Sequence, residues 1–176
     1  MMMTKINFSF WIISVVLAVP LNTLSGQHGR IPAPAKEGMV VSSHYLASQA
    51  GMQVLKNGGN AVDAAIATAF ALAVTLPSAG NIGGGGFMVY HGADGTSTTF
   101  NFREKAPQAA SERMYLDANG QIKDNSNHEG PLSVGVPGTV AGLWMAHGKL
   151  GSKPWADLVK PSVELAEKGF PSTWDM

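Results

Sequence analysis

The stretch NAVDAAIATAFALAVTLP, residues 60–77, decides how the rest of the chain must be arranged. Residues 61–76 are apolar at almost every position, which predicts a helix buried on several sides rather than one lying on a surface. Asn60 is placed to cap its first turn, with Asp63 completing a variant capping box, and Pro77 ends the helix. Because such a helix needs packed layers around it, we expect some covering elements to be encoded after residue 176.

Three further helices are predicted on the two sides of this stretch. The first begins at Ser42 or Ser43, whose hydroxyl groups can accept from first-turn amides, and stops at the left-handed pair starting with Gly58. The other two are predicted over residues 138–147 and 154–168.

Short β-branched and aromatic runs predict four strands, at residues 39–41, 87–90, 98–102 and 132–136. Asp94 and Gly95 form a hairpin turn signal between the second and third of these runs. Helices and hairpins in this mixture indicate an α+β layered fold rather than a doubly wound parallel sheet.

The composition excludes several function classes. The chain of 176 residues suits one domain, and its 12 basic residues balance 12 acidic ones. A neutral chain has neither the basic surface that nucleic acid requires nor a polybasic patch for anionic lipid. It contains no cysteine, so disulfides, a thiol nucleophile and thiolate metal sites are all excluded.

Residues 1–26 have the pattern of a secretory signal peptide. Lys5 gives a positive start, residues 8–21 are almost continuously apolar, and small residues such as Ser25 follow. A membrane anchor is the alternative, but a spanning helix needs about 20 apolar residues and this run is shorter. We therefore expect cleavage, export to the periplasm or medium, no stable membrane anchor, and a loose leader over residues 27–38.

The glycine run at residues 83–86 invites comparison with a phosphate-binding loop. No Lys-Ser or Lys-Thr pair follows it, and Met88 stands where a dinucleotide fingerprint needs its third glycine. We therefore expect close approach of another backbone segment here, which only glycine permits. The histidines show no metal-ligand spacing, and no metal site is predicted; they are His28, His44, His91, His128 and His147.

Arg103 is the charged residue of most interest. It follows the aromatic strand end at residues 100–102, where a guanidinium could present a rigid fork to a carboxylate. The alternative is a surface ion pair with Glu104 or another acid, and spacing alone favours this alternative.

Four motifs then occur in order: NAVDAA at 60–65, AGNIGGGGF at 79–87, FREKAP at 102–107 and VPGTVAG at 136–142. Together they closely resemble the amino-terminal part of gamma-glutamyltransferases (gamma-glutamyl transpeptidases), over about residues 39–171. The resemblance implies an N-terminal nucleophile hydrolase fold, a four-layer αββα sandwich, present here only in part as residues 39–176 of a truncated large subunit.

The resemblance also implies a chemistry. Such enzymes cut themselves into large and small subunits, and the freed threonine attacks the gamma-glutamyl amide of glutathione or a related compound. The glutamyl group then passes to water, an amino acid or a peptide. No metal or organic cofactor is implied. The partners are the substrate, the missing remainder of the large subunit, and the small subunit.

By the same resemblance, Arg103 matches the arginine that binds the alpha-carboxylate of the gamma-glutamyl group, which reverses the preference from spacing. The nucleophile motif Thr-Thr-His is absent, since residues 98–100 read Thr-Thr-Phe inside a predicted strand. No catalytic residue is therefore assigned, and the 176-residue chain is expected to be inactive alone. The alternatives are a cephalosporin or glutaryl acylase of the same superfamily, and a non-catalytic gene remnant or binding fragment.

Overall fold

The computed structural model describes residues 34–172. The signal peptide predicted for residues 1–26 and most of the leader lie outside this part of the chain. The described elements are α1 (Tyr45–Lys56), α2 (Ala61–Thr75), β1 (Phe87–His91), β2 (Ser97–Asn101), a short 3-10 helix (Pro131–Ser133), α3 (Thr139–Leu150) and α4 (Trp155–Lys168). Within residues 34–172 no helix has the length and apolar character that crossing a membrane requires.

Helix α2 is the buried centre of the domain, as the sequence predicts. Its first turn forms a complete capping box, in which the Asn60 side chain accepts from the amides of Val62 and Asp63 at 2.9 and 3.0 Å. The Asp63 carboxylate accepts in return from the Asn60 amide at 2.9 Å. Ile66, fully buried, lies in the main apolar cluster with residues of α1, β2, α3 and α4.

Helix α1 packs closely along α2 because small residues line their contact. Ala47 and Ala50 are buried together with Ala71 of α2. A Cβ placed on Gly51 would stand 3.0 Å from the Ala64 carbonyl oxygen, so this approach requires glycine. The helix ends at Lys56 with Asn57 as its C-cap, and Gly58 takes the left-handed conformation (φ +76°) that the sequence predicts.

The start of α1 differs from the prediction. His44, rather than Ser42 or Ser43, is the N-cap, and its Nδ1 accepts from the Leu46 amide at 3.3 Å. The Ser42 hydroxyl instead donates to the His44 carbonyl at 2.8 Å and lies 2.8 Å from the hydroxyl of Ser48. Serine is the commoner cap, but here the Ser42 hydroxyl is engaged by these two groups.

Strands β1 and β2 form the predicted antiparallel hairpin. Met88 pairs with Phe100 and Val89 with Thr99. The turn is where Asp94-Gly95 predicts it, with Gly95 at φ +83°. Phe100 is buried against the helices, whereas Val89 on the opposite face is 79% exposed. The hairpin therefore covers the core with one face only.

Two of the predicted strands do not form. Residues 39–41 and 132–136 lack a strand partner in the described part of the chain, where the only sheet is the β1–β2 pair. Residues 131–133 form a 3-10 turn, and Val136 makes an isolated bridge to Lys105. β-branched composition indicates a strand only where another strand supplies the hydrogen bonds.

The described residues confirm a mixed arrangement of helices and antiparallel strands. A four-layer sandwich requires more strands than the two of this hairpin, so residues 34–172 contain at most part of one.

The chain between α3 and α4 is bound to the first turn of α2. The Asn60 side-chain amide donates to the Leu150 carbonyl at 2.7 Å. Fully buried Asp63 accepts from the Ser152 amide at 3.0 Å, from the Ser152 hydroxyl at 2.5 Å, and from the Lys153 amide at 3.4 Å. Burial acts to raise the pKa of Asp63, but these hydrogen bonds and the one from Asn60 outweigh it and lower the pKa below its ordinary value.

Candidate functional site

Arg103 lies on a short backbone segment that is held on both sides. Phe102 pairs with Gly86, its amide donating to the Gly86 carbonyl at 3.0 Å, which extends the hairpin by one residue pair. Lys105 pairs with Val136 through reciprocal bonds of 3.2 and 2.8 Å. Between these two pairs the Arg103 amide donates to the Asn101 side chain at 3.1 Å. The residue that the sequence singles out therefore has a fixed main chain.

The side chain of Arg103 extends into solvent. It is 68% exposed, and its Nε lies 3.3 Å from Oε2 of Glu104. This is the ion pair that spacing alone predicts. A guanidinium has five N–H donors in a planar fork, so an ion pair through Nε leaves donors free for a second carboxylate. The two interpretations of Arg103 are thus compatible in this geometry.

Glycines from two other segments press against the backbone that carries Arg103. A Cβ on Gly85 would stand 2.6 Å from the Phe102 carbonyl oxygen and 2.9 Å from the Arg103 carbonyl carbon. A Cβ on Gly138, just before α3, would collide with the same Phe102 carbonyl. The close approach expected of the glycine run is confirmed at Gly85. Gly83, in contrast, faces open space.

The aromatic ring of Phe102 is enclosed in the same way. A Cβ on Gly142, inside α3, would overlap its Cβ, Cγ and Cδ1 atoms, and one on Gly86 would lie 2.9 Å from its Cε2. The Gly84 carbonyl accepts from the amides of Gly138 and Thr139 at 2.7 and 3.0 Å, which joins the glycine run to the start of α3. Three of the four sequence motifs therefore meet at Phe102.

Sequence reasoning did not predict this meeting point. The available signal was Gly142, a glycine inside a predicted helix, which costs about 1 kcal/mol relative to alanine and therefore has a packing reason when it occurs. Its partner could not be identified, because Phe102 is distant in sequence.

Three of the histidines considered from the sequence have structural or surface positions, and His28 lies outside the described residues. His44 caps α1, His147 donates through Nε2 to the Lys153 carbonyl at 2.7 Å, and His91 lies 2.8 Å from the Ser97 hydroxyl. In the described part of the chain, no group of three potential side-chain ligands could hold a metal ion. Thr99 lies in the middle of β2 opposite Val89, as expected for a strand residue.

This arrangement can bind an anion but supplies no bond-breaking group of its own. The Arg103 main chain is held in place, and the exposed guanidinium keeps donors free for a planar carboxylate.

Comparison with known proteins identifies the relatives of this chain. The family model for gamma-glutamyltranspeptidase matches residues 47–176. The chain is similar to a glutathione hydrolase proenzyme of Pseudomonas sp. (strain A14), with 52% identity over 139 residues, 79% of this chain and 24% of that protein. It is also similar to the acylase ACY 1 proenzyme of Pseudomonas sp. (strain SE83), with 40% identity over 145 residues. That match covers 79% of this chain and 26% of the acylase.

A solved structure agrees with these matches. The gamma-glutamyltranspeptidase of Helicobacter pylori superimposes with a TM-score of 0.75 and 48% identity, covering 80% of this chain and 40% of that one. The chain thus spans about a quarter of the length of the curated relatives it matches. On the family match, the sequence identity and the shared structure, the chain belongs to the gamma-glutamyltranspeptidase family.

Proposed function

We propose that this chain is the amino-terminal part of an enzyme that transfers gamma-glutamyl groups from glutathione or a related compound to water, an amino acid or a peptide. The observation that carries the proposal is the position of Arg103, exposed on a fixed backbone, in a chain 52% identical to a glutathione hydrolase proenzyme. The remainder of the complete enzyme would supply the other layers of the four-layer nucleophile-hydrolase sandwich.

In this proposal Arg103 binds the alpha-carboxylate of the gamma-glutamyl group. Glu104 contacts Nε, which leaves the outer edge of the guanidinium open to the substrate. Binding the alpha-carboxylate at a fixed point would place the gamma-carbonyl a set distance away, where the threonine of the small subunit attacks it. Arg103 then contributes to substrate recognition and leaves proton transfer to the amine of that threonine.

The same proposal covers processing and location. The relative is a proenzyme by name, and self-cleavage would free the threonine that residues 1–176 do not supply. The chain alone would be inactive, and its partners would be the rest of the large subunit and the small subunit. The signal pattern of residues 1–26 would direct export to the periplasm or medium.

The decisive experiment compares Arg103→Ala and Arg103→Lys in a restored enzyme, made by joining this chain to the remainder of the Pseudomonas relative. Loss of a charged hydrogen bond costs on the order of 1.5–3 kcal/mol, so Arg103→Ala should lower kcat/KM roughly tenfold to hundredfold, mostly through KM. Arg103→Lys keeps the charge but loses the planar fork, so its kcat/KM should lie between those of the parent enzyme and Arg103→Ala.

Steady-state kinetics on a gamma-glutamyl anilide provide the measurement, and gel analysis of the two subunits verifies processing. Arg113→Ala, which removes another exposed arginine, is the matched control and should leave both constants unchanged. A processed Arg103→Ala enzyme with the parent KM would return Arg103 to a surface ion pair with no role in substrate binding.

The acylase alternative has its own support in the 40% identity to acylase ACY 1. The two enzyme classes differ in the acyl group: a gamma-glutamyl group carries an alpha-amine, and a glutaryl group does not. Parallel assays of the restored enzyme with gamma-glutamyl and glutaryl anilides therefore decide between them. Preference for the glutaryl compound by tenfold or more in kcat/KM would favour the acylase. The gene-remnant alternative predicts a stop codon directly after residue 176.

A further inference from the structure

We infer that Phe102 is a positioning residue for Arg103, and that the glycines packed on it set where the guanidinium lies and so how tightly substrate is held. The inference rests on the proposed function, because it assigns a consequence to the place that Arg103 occupies. Phe102 precedes Arg103 directly and acts through it, without contact between its own ring and the substrate.

The space around the Phe102 ring is closely filled on two sides. The ring is half-buried and packs against the main apolar cluster. One side lies over Gly142 in α3 so closely that any added Cβ would overlap the ring root, and another lies over Gly86. Because the Cβ and Cγ atoms of Phe102 lie directly on Gly142, a group added there would push the root of the side chain and with it the Cα, which is one residue from Arg103.

The carbonyl group between Phe102 and Arg103 is confined as well. A Cβ on Gly85 would stand 2.6 Å from the Phe102 oxygen, whereas ordinary contact begins at 3.4 Å, so the backbone would have to shift by about 0.8 Å. Gly138 closes the other side against the same oxygen. For groups that orient a substrate, a displacement of about 1 Å can cost up to about a hundredfold in kcat/KM.

Two structurally matched pairs of glycines make the inference testable. Gly142 and Gly148 both lie within α3, but a Cβ on Gly148 meets nothing within 4 Å. Gly85 and Gly83 both lie in the glycine run, and Gly83 is equally free. Alanine at each member of a pair changes chain entropy similarly, so the difference within a pair reports displacement of the Phe102–Arg103 segment.

The experiment is a double-mutant cycle in the restored enzyme, with Gly142→Ala, Arg103→Ala and the two combined. We expect processed Gly142→Ala enzyme to show a roughly tenfold higher KM with little change in kcat, and no greater loss than Arg103→Ala. In the Arg103→Ala background, Gly142→Ala should cause no further loss, because the residue through which it acts is gone. Gly148→Ala should match the parent enzyme.

The outcomes separate this inference from the proposed function. If Arg103→Ala leaves KM unchanged, both fail together. Two results would overturn only the positioning role, in an enzyme where Arg103→Ala does raise KM. The first is that Gly142→Ala has no effect. The second is that Gly142→Ala lowers kcat/KM by the same factor in the parent enzyme and in the Arg103→Ala enzyme. If Gly142→Ala blocks processing, milder changes replace it: Phe102→Leu, and Gly85→Ala with Gly83→Ala as its control. Failure of processing in all of them would also overturn the inference, because a positioning role leaves self-cleavage intact.

Discussion

Replacing Asp63 by asparagine should loosen the connection between α3 and α4. The Asp63 carboxylate is fully buried and accepts from the amides of Ser152 and Lys153, at 3.0 and 3.4 Å, and from the Ser152 hydroxyl. Hydrogen bonds to a charged acceptor contribute on the order of 1.5–3 kcal/mol each. Ser152 is itself exposed, so water compensates part of the loss and the lower end applies, about 1.5 kcal/mol.

Hydrogen exchange measured by mass spectrometry in the restored enzyme reports this change locally. An opening free energy lower by about 1.5 kcal/mol corresponds to roughly tenfold faster exchange of the amides of Ser152 and Lys153 at neutral pH. Asp157→Asn removes an exposed carboxylate from the first turn of α4 and should leave that exchange rate unchanged. Equal exchange at these amides in the Asp63→Asn and parent proteins would refute the reasoning.

The effect should also depend on pH with a defined sign. The pKa of Asp63 is lowered in the folded protein, so the folded state binds fewer protons than the unfolded state through this group. Its stabilising contribution is therefore complete above the unfolded pKa of about 3.9 and is lost as the pH falls through the folded value. The difference in opening free energy between parent and Asp63→Asn should shrink below about pH 4.

Two further predictions concern the chain as a whole. Mass spectrometry of the exported protein should find a mature start between about residues 25 and 30; an intact Met1 terminus in a membrane fraction would contradict the signal-peptide interpretation. The purified 176-residue chain should release no amine from a gamma-glutamyl anilide above background, since Thr99 lies inside β2 without a free amine. Turnover that survives stringent purification would show that the missing part is not the catalytic part.

Local sequence signals predicted those elements whose contacts are also local. The capping box of Asn60 and Asp63, the left-handed stop at Gly58 and the turn at Gly95 are each completed within a few residues, and all three are confirmed. The strands at residues 39–41 and 132–136 were wrong because strand formation depends on a partner from elsewhere. The cap at His44 was missed because the Ser42 hydroxyl bonds instead to groups of the following turn.

In the candidate site, too, features with local signals could be predicted and contacts between distant segments could not. Arg103 could be selected from its motif, and its exposure and ion pair with Glu104 agree with both interpretations given by the sequence. The packing of Gly85, Gly138 and Gly142 on Phe102 joins segments up to 57 residues apart. No local pattern encodes such a contact; it becomes visible only when the backbone is traced in space.

The bond between Asp63 and Ser152 also has a consequence for the order in which the domain forms during synthesis. The two residues are 89 positions apart, and ribosomes add about 5–20 residues per second, so the carboxylate waits roughly 4–18 s for its partner. During that interval the capping box at the start of α2 is already complete, so the Asp63 carboxylate accepts from the Asn60 amide, while its remaining acceptor positions can be satisfied only by water. The first turn of the nascent α2 helix therefore stays hydrated at Asp63 until the chain beyond α3 has left the ribosome.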